Sequence, residues 1–115
     1  MQEVVVGEVT GTGNAIDVSV GFLPAYVRLA NPTNANVPTI EWWYGMPDGS
    51  GIKVIKKAVN EGGTASYSVG NTYVTTGGIS TYRGTPAGNP VGFTIGTDAD
   101  INVSGEKIRY FVARQ

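Results

Sequence analysis

Three acidic residues stand out as candidates for acid–base chemistry. Asp98 and Asp100 lie two apart in Asp98-Ala99-Asp100-Ile101-Asn102, and Glu41 precedes the pair Trp42-Trp43. Two carboxylates flanking a sugar bond can hydrolyse it, one as acid and the other as base or nucleophile. A Ser–Lys pair is the other scheme the composition leaves open. The chain has no histidine and no cysteine. Without histidine there is no Ser-His-Asp triad and no His-ligated metal. Without cysteine there is no disulfide, thiolate-bound zinc or thiol nucleophile. No substrate-shaped signature surrounds the carboxylates, so the expectation is a protein that is not an enzyme and uses no cofactor.

The Asp98–Asn102 run begins like a calcium loop and then departs from it. Its sixth position is Val103 where glycine is needed, and its twelfth is Arg109 where a bidentate glutamate is needed. Asp and Asn also bond nearby backbone and favour tight turns, so a turn without metal is expected here. Gly11-Thr12-Gly13 fails as a dinucleotide fingerprint because Ile16 fills the third glycine position. Asn102-Val103-Ser104 matches the glycosylation acceptor by chance, since no export signal accompanies it: Met1-Gln2-Glu3 is not basic and Val4-Val5-Val6 is too short for an apolar core. No apolar run approaches the ~20 residues that span a bilayer. The expectation is a protein soluble when made, outside the membrane. Eight basic against nine acidic residues, net charge −1, argue against nucleic-acid binding.

The elements that must carry these residues are short. Seventeen glycines and six prolines punctuate 115 residues, with runs rich in Val, Ile, Thr, Tyr and Trp between them. That is the pattern of many short strands joined by turns. Strands are predicted near Glu3–Val9, Ala15–Val20, Tyr26–Ala30, Thr39–Gly45, Val91–Ile95 and Lys107–Ala113. Gly11-Thr12-Gly13-Asn14 is predicted to turn a hairpin between the first two. Residues 52–59 fit either a strand or a two-turn helix, the strand being favoured because short helices gain little alone. Residues 61–90, rich in Gly, Thr and Tyr, hold either one or two further strands (Ala65–Val69 and Tyr73–Thr76) or a binding loop. The predicted fold is one all-β domain over residues 1–115, an antiparallel β-sandwich of seven to nine strands, with a jelly roll among the arrangements that fit. Residues 1–6 are a candidate N-terminal arm. The core draws on Val18, Val20, Val27, Leu29, Ile40, Phe93, Ile95 and Ile108.

Adjacent residues on a strand point to opposite faces. One member of Trp42-Trp43, one of Tyr110-Phe111 and part of Val4-Val5-Val6 must therefore lie on an outer face. Large apolar groups there call for a cover: the 61–90 segment, a protein partner, or a sugar stacked on an aromatic ring. The candidate interface residues are Val4, Val5, Val6, Trp42, Trp43, Tyr67, Tyr73 and Tyr82.

Two segments together resemble small virion proteins of tailed bacteriophages. Gly21-Phe22-Leu23-Pro24-Ala25-Tyr26-Val27-Arg28-Leu29-Ala30-Asn31 is similar to a stretch of the form GF-x-P-x-YV-x-(V/L)-x-N. Gly77-Gly78-Ile79, then Gly92-Phe93-Thr94-Ile95-Gly96-Thr97-Asp98, Asn102 through Gly105 and an aromatic last strand resemble the ending of that group, with Glu41-Trp42-Trp43-Tyr44-Gly45-Met46 at the place of its tryptophan motif. The match runs from Gly21 onward, rests on glycines and aromatics, and brings no catalytic residues. The length of the 61–90 segment departs from it. The resemblance implies a capsid decoration (cement) protein on the virion surface, made in the host cytoplasm. It implies the major capsid protein and further copies of the chain as partners, a trimer being favoured. The alternative it leaves is a glycan- or receptor-binding module of the tail or fibre.

Overall fold

The computed structural model describes residues 4–61, 64–83 and 91–115, with backbone alone at 56–61 and 64–69. The described residues form eight strands: β1 (Val4–Thr10), β2 (Ile16–Ser19), β3 (Pro24–Ala30), β4 (Thr39–Trp43), β5 (Ser50–Glu61), β6 (Thr64–Tyr82), β7 (Gly92–Ile95) and β8 (Lys107–Arg114). The six strands predicted outside the ambiguous stretches match within two residues at each end. Residues 52–59 are strand, within β5. The 61–90 segment supplies β6; its residues 62–63 and 84–90 lie outside those described.

All pairings are antiparallel, and the strands form a single sheet in the order β1-β8-β3-β4-β5-β6-β7-β2. The all-β antiparallel expectation holds, but one continuous sheet curls over its own core instead of two sheets facing each other. Phe93 on β7 and Tyr110 on β8 lie far apart in strand order, yet their rings meet edge to face at 5.5 Å. The corner lies in β6. Ser50 pairs with Ile79 but Gly51 pairs with Val74, so Thr75 to Gly78 are extra residues on β6. A bulge of this kind bends a strand sharply. The strand thus serves β5 with its first part and β7 with its last, Ile79–Tyr82.

Glycine is required at that corner. Gly77 has φ +74°, and a side chain on Gly78 would collide with the Ser50 carbonyl. A side chain on Gly96 would strike the Gly77 and Gly78 backbone, to which Gly96 N–H donates at the Gly78 carbonyl, 2.8 Å.

The predicted hairpin at Gly11–Asn14 does not form. β1 and β2 sit at opposite edges of the sheet, paired with β8 and β7. Their connection crosses between the edges and is held by buried Asn102. The Asn102 Oδ1 accepts from Thr12 N (2.9 Å) and Gly13 N (3.0 Å), and its Nδ2 donates to the Asn14 and Gly96 carbonyls. A local turn signal therefore served a long-range anchor.

The core joins Val18, Phe22, Val27, Leu29, Ile40, Trp42, Ile79, Phe93, Ile95, Ile101, Ile108 and Val112. Seven of the eight predicted core residues are in it; Val20 packs against it, half-buried. β5 and β6 run past the rest of the sheet. The last β4 partner on β5 is Val54, and seven further pairs, Ile55↔Gly70 to Glu61↔Thr64, form a two-stranded ribbon. At ~3.3 Å per residue the ribbon extends ~20 Å. It accounts for an overall length of 57 Å against 29 and 24 Å across.

Candidate interaction face

Lys53 pairs with inward-facing Ile40, so its side chain starts on the core side of the sheet. Its ammonium reaches both Asp98 oxygens at 3.1 Å and Asp100 Oδ2 at 2.5 Å. The Asp98 Oδ1 also accepts from Asp100 N (2.9 Å) and Ile101 N (3.1 Å), closing the turn. Partial burial alone would lower the Lys53 pKa. The hydrogen bonds and charges of Asp100 and Asp98 outweigh it and hold the ammonium above its ordinary value of 10.5. The positive charge these two carboxylates meet thus comes from within the chain, and their arrangement is that of a clamp between β5 and the 98–102 turn. Among the described residues no three or more metal-ligating side chains gather. Glu41 is elsewhere, on the outer face of β4, directly paired with Arg28. Burial, then Glu41, raises the Tyr26 pKa.

The outer face follows from strand register, since directly paired residues share a face. One row runs Val6–Phe111–Arg28–Glu41–Ile52–Tyr73 across β1, β8, β3, β4, β5 and β6. The next runs Val4–Ala113–Tyr26–Trp43. Val6 is 65 % exposed, Tyr73 54 %, Trp43 43 %, Val4 42 % and Phe111 41 %. Tyr26 and Phe111 meet edge to face at 6.2 Å. Trp43, Phe111 and Tyr73 are the large exposed aromatics of this face, with Arg28 and Glu41 between Phe111 and Tyr73. Beside Phe111 lies a hollow of about 280 Å³ lined by Val6, Arg28, Ala30, Arg109, Tyr110 and Phe111. Charge on this face is balanced, with Arg109 on Glu8 at 3.1 Å.

The pairs divide as alternation requires. Trp43 faces out, while Trp42 is 2 % exposed, with its indole N–H donating to the Pro47 carbonyl at 3.2 Å. Phe111 faces out and Tyr110 packs on the core. Val4 and Val6 face out and Val5 packs inward. Trp42 is therefore a core residue and Val5 packs, partly buried, against the core, because one face of every strand is needed to fill the curl. Tyr73 belongs to the outer face at its far side. Tyr82 pairs with Gly92, which pairs with Ser19, and so lies on the outer side of the other half. The side chain of Tyr67 and the residues before Val4 lie outside the described residues. β6 is part of the sheet, beside the Trp43–Phe111 face, and residues 62–63 and 84–90 of the same segment lie outside the described residues. Tyr26 was missing from the candidates, although Val27 and Leu29 facing inward place Tyr26 and Arg28 outward by alternation alone.

A second hollow, about 310 Å³, is lined by Trp42, Tyr44, Gly45, Met46, Asp48, Thr81 and Arg83. Tyr44 is 68 % exposed there, and Asp48 Oδ1 accepts from Thr81 N at 3.0 Å. No protein-family model, curated protein or solved structure matches the chain.

Proposed function

We propose that the chain is a non-enzymatic structural protein of a phage virion. It decorates the assembled capsid as a homo-oligomer and docks on the major capsid protein through the outer face bearing Val4, Val6, Trp43 and Phe111. The observation that carries this reading is a sheet with one face closed over its own core and the other left aromatic, apolar and uncovered among the described residues. The engagement of Asp98 and Asp100 by Lys53 supports a structural role for the only closely spaced acidic pair considered for catalysis. The resemblance supplies the virion setting.

The test is co-sedimentation with purified empty heads of the phage that encodes the chain. Parent protein is expected to pellet with the shells, and the double variant Trp43→Ala/Phe111→Ala to bind at least tenfold more weakly. Both side chains are more than two-fifths exposed, so the variant is expected to keep its fold. A parent that stays in the supernatant, or a folded variant that binds equally, overturns the reading. The second hollow favours one other reading, a tail or fibre module stacking a sugar ring on Tyr44 beside Asp48 and Arg83; a glycan array separates it from the first.

A further inference from the structure

The two edges of the sheet are built differently. β2, at one edge, is four residues long and carries Asp17, whose carboxylate accepts from Thr94 Oγ1 at 2.7 Å. β1, at the other, is seven residues long, and its register with β8 is unbroken from Val4↔Ala113 to Thr10↔Lys107. Among the described residues no strand pairs with its far side. Natural sheets blunt such edges with charged side chains, proline, a bulge, a short strand or a covering loop or helix. Among the described residues β1 carries one charged side chain and no proline or lysine, its ladder with β8 has no bulge, and it is seven residues long. Its one charge, Glu8, points outward and is held by Arg109. A long, regular, valine-rich edge with a single charge is a pairing surface.

We propose that β1 pairs with β1 of a second copy, antiparallel about a two-fold axis at Gly7, so that one sheet runs through a dimer. Directly opposed residues share a face, so each residue must meet one of its own parity, or the second copy is turned inside out. Of the registers that satisfy this, the one centred on Gly7 pairs all seven residues. Val5 then opposes Val9 of the second copy on the core side. On the outer side Val6 opposes Glu8, and Val4 opposes Thr10. Charge is compatible: neither Glu8 opposes a charge of its own sign, and each keeps its Arg109. The outer row Val6–Phe111 becomes continuous between the copies. A side chain on Gly7 would have to displace the tip of the Tyr110 ring. The contact is ~20 Å long. It is smaller than a standard interface of ~800 Å² per partner, so association depends on concentration. This arrangement is two-fold, in place of the trimer that the resemblance implies, and it holds whatever the outer face docks on.

Sedimentation equilibrium of the full chain tests it with two opposite charges at one position. Val6→Glu sets a carboxylate against Glu8 at two symmetric places and is expected to raise the dimer dissociation constant about tenfold or more. Val6→Lys sets an ammonium against the same carboxylates and is expected to leave the dimer as tight as the parent or tighter. Val6 is 65 % exposed, so both variants should fold, which melting curves verify. In a second measurement, Val6→Cys chains are mixed with Glu8→Cys chains under oxidation. The chain has no cysteine of its own. The mixture should cross-link more readily than either variant alone. A parent that is monomeric or trimeric throughout, variants that weaken association equally, or no preference for the mixed cross-link overturns the proposal. Capsid co-sedimentation is read separately, so failure of one does not count against the other.

Discussion

Replacing Lys53 with methionine keeps most of the buried stem and removes only the ammonium. What remains is Asp98, whose side chain is 9 % exposed, with two backbone N–H groups on Oδ1 and no counter-charge. Breaking a fully buried ion pair by removing one partner costs ~3–5 kcal/mol, while an exposed pair contributes ~0–1 kcal/mol. The Lys53–Asp98 pair, 13 % and 9 % exposed, lies near the first limit; Asp100, 41 % exposed, lies near the second. The surviving N–H contacts soften the loss, so Lys53→Met is expected to cost about 2–3 kcal/mol. At ~4 °C per kcal/mol for a domain of this size, the melting temperature should fall by about 8–12 °C. Urea and thermal unfolding at neutral pH measure both. In an Asp98→Asn background the same substitution should cost about half as much, since the stranded charge is gone.

The pH dependence carries a sign. Lys53 is raised in the folded state. Its contribution is complete below the ordinary value of 10.5 and is lost as pH rises through the higher folded value. Parent protein should therefore lose stability on that alkaline limb, and Lys53→Met should lack that loss. A cost below about 0.5 kcal/mol, the range of ordinary surface changes, or an equal cost in the Asp98→Asn background, would refute the clamp.

Two further outcomes test the frame that holds the site. Asn102→Ala removes four hydrogen bonds, three to the β1–β2 connection and one to Gly96, and should cost about 2–4 kcal/mol, read by urea unfolding, because a buried polar group left unmatched costs ~1–3 kcal/mol. Gly78→Ala drives a methyl into the Ser50 carbonyl at the β6 corner and should cost about 3 kcal/mol or more, while Gly70→Ala, with open space around it, should stay within about 1 kcal/mol.

Strand existence was legible because the Val, Ile, Thr and aromatic runs are bounded by Gly, Pro and Asn. The alternation that sends Trp43 and Phe111 outward was legible for the same geometric reason. The curl was not. It depends on four extra residues in β6 and on close backbone approaches at Gly78 and Gly96, which are long-range facts that no local window encodes. The Gly11–Asn14 turn misled because Gly and Asn mark a reversal of direction without saying what the chain rejoins; the answer lay in Asn102, nearly ninety positions away in sequence. The Lys53 partner of Asp98 was hidden in the same way. A lysine in the run Lys53-Val54-Ile55-Lys56 looks solvated until the register with Ile40 turns it inward.

Four of the residues that carry the phage resemblance are, in this structure, inward or turn-forming. Gly78 and Gly96 close the corner, Asn102 ties the edge connection, and Asn31 Nδ2 binds the Asp100 carbonyl and Glu106 Oε1 at 3.1 and 2.8 Å. They build a frame and specify no chemistry. What the frame leaves open is backbone and outer face: the far side of β1, and both sides of the ribbon from Ile55↔Gly70 to Glu61↔Thr64, which among the described residues have no neighbouring strand. A two-stranded ribbon is marginal in water by itself, and an open edge on a free monomer invites unwanted pairing. Both features become favourable once a second chain supplies the missing hydrogen-bond partners, and both adjoin the sheet that carries Val6, Phe111 and Trp43. The open edges and the aromatic face thus favour the same physical reading, a subunit completed by assembly rather than a free-standing binder of a small ligand.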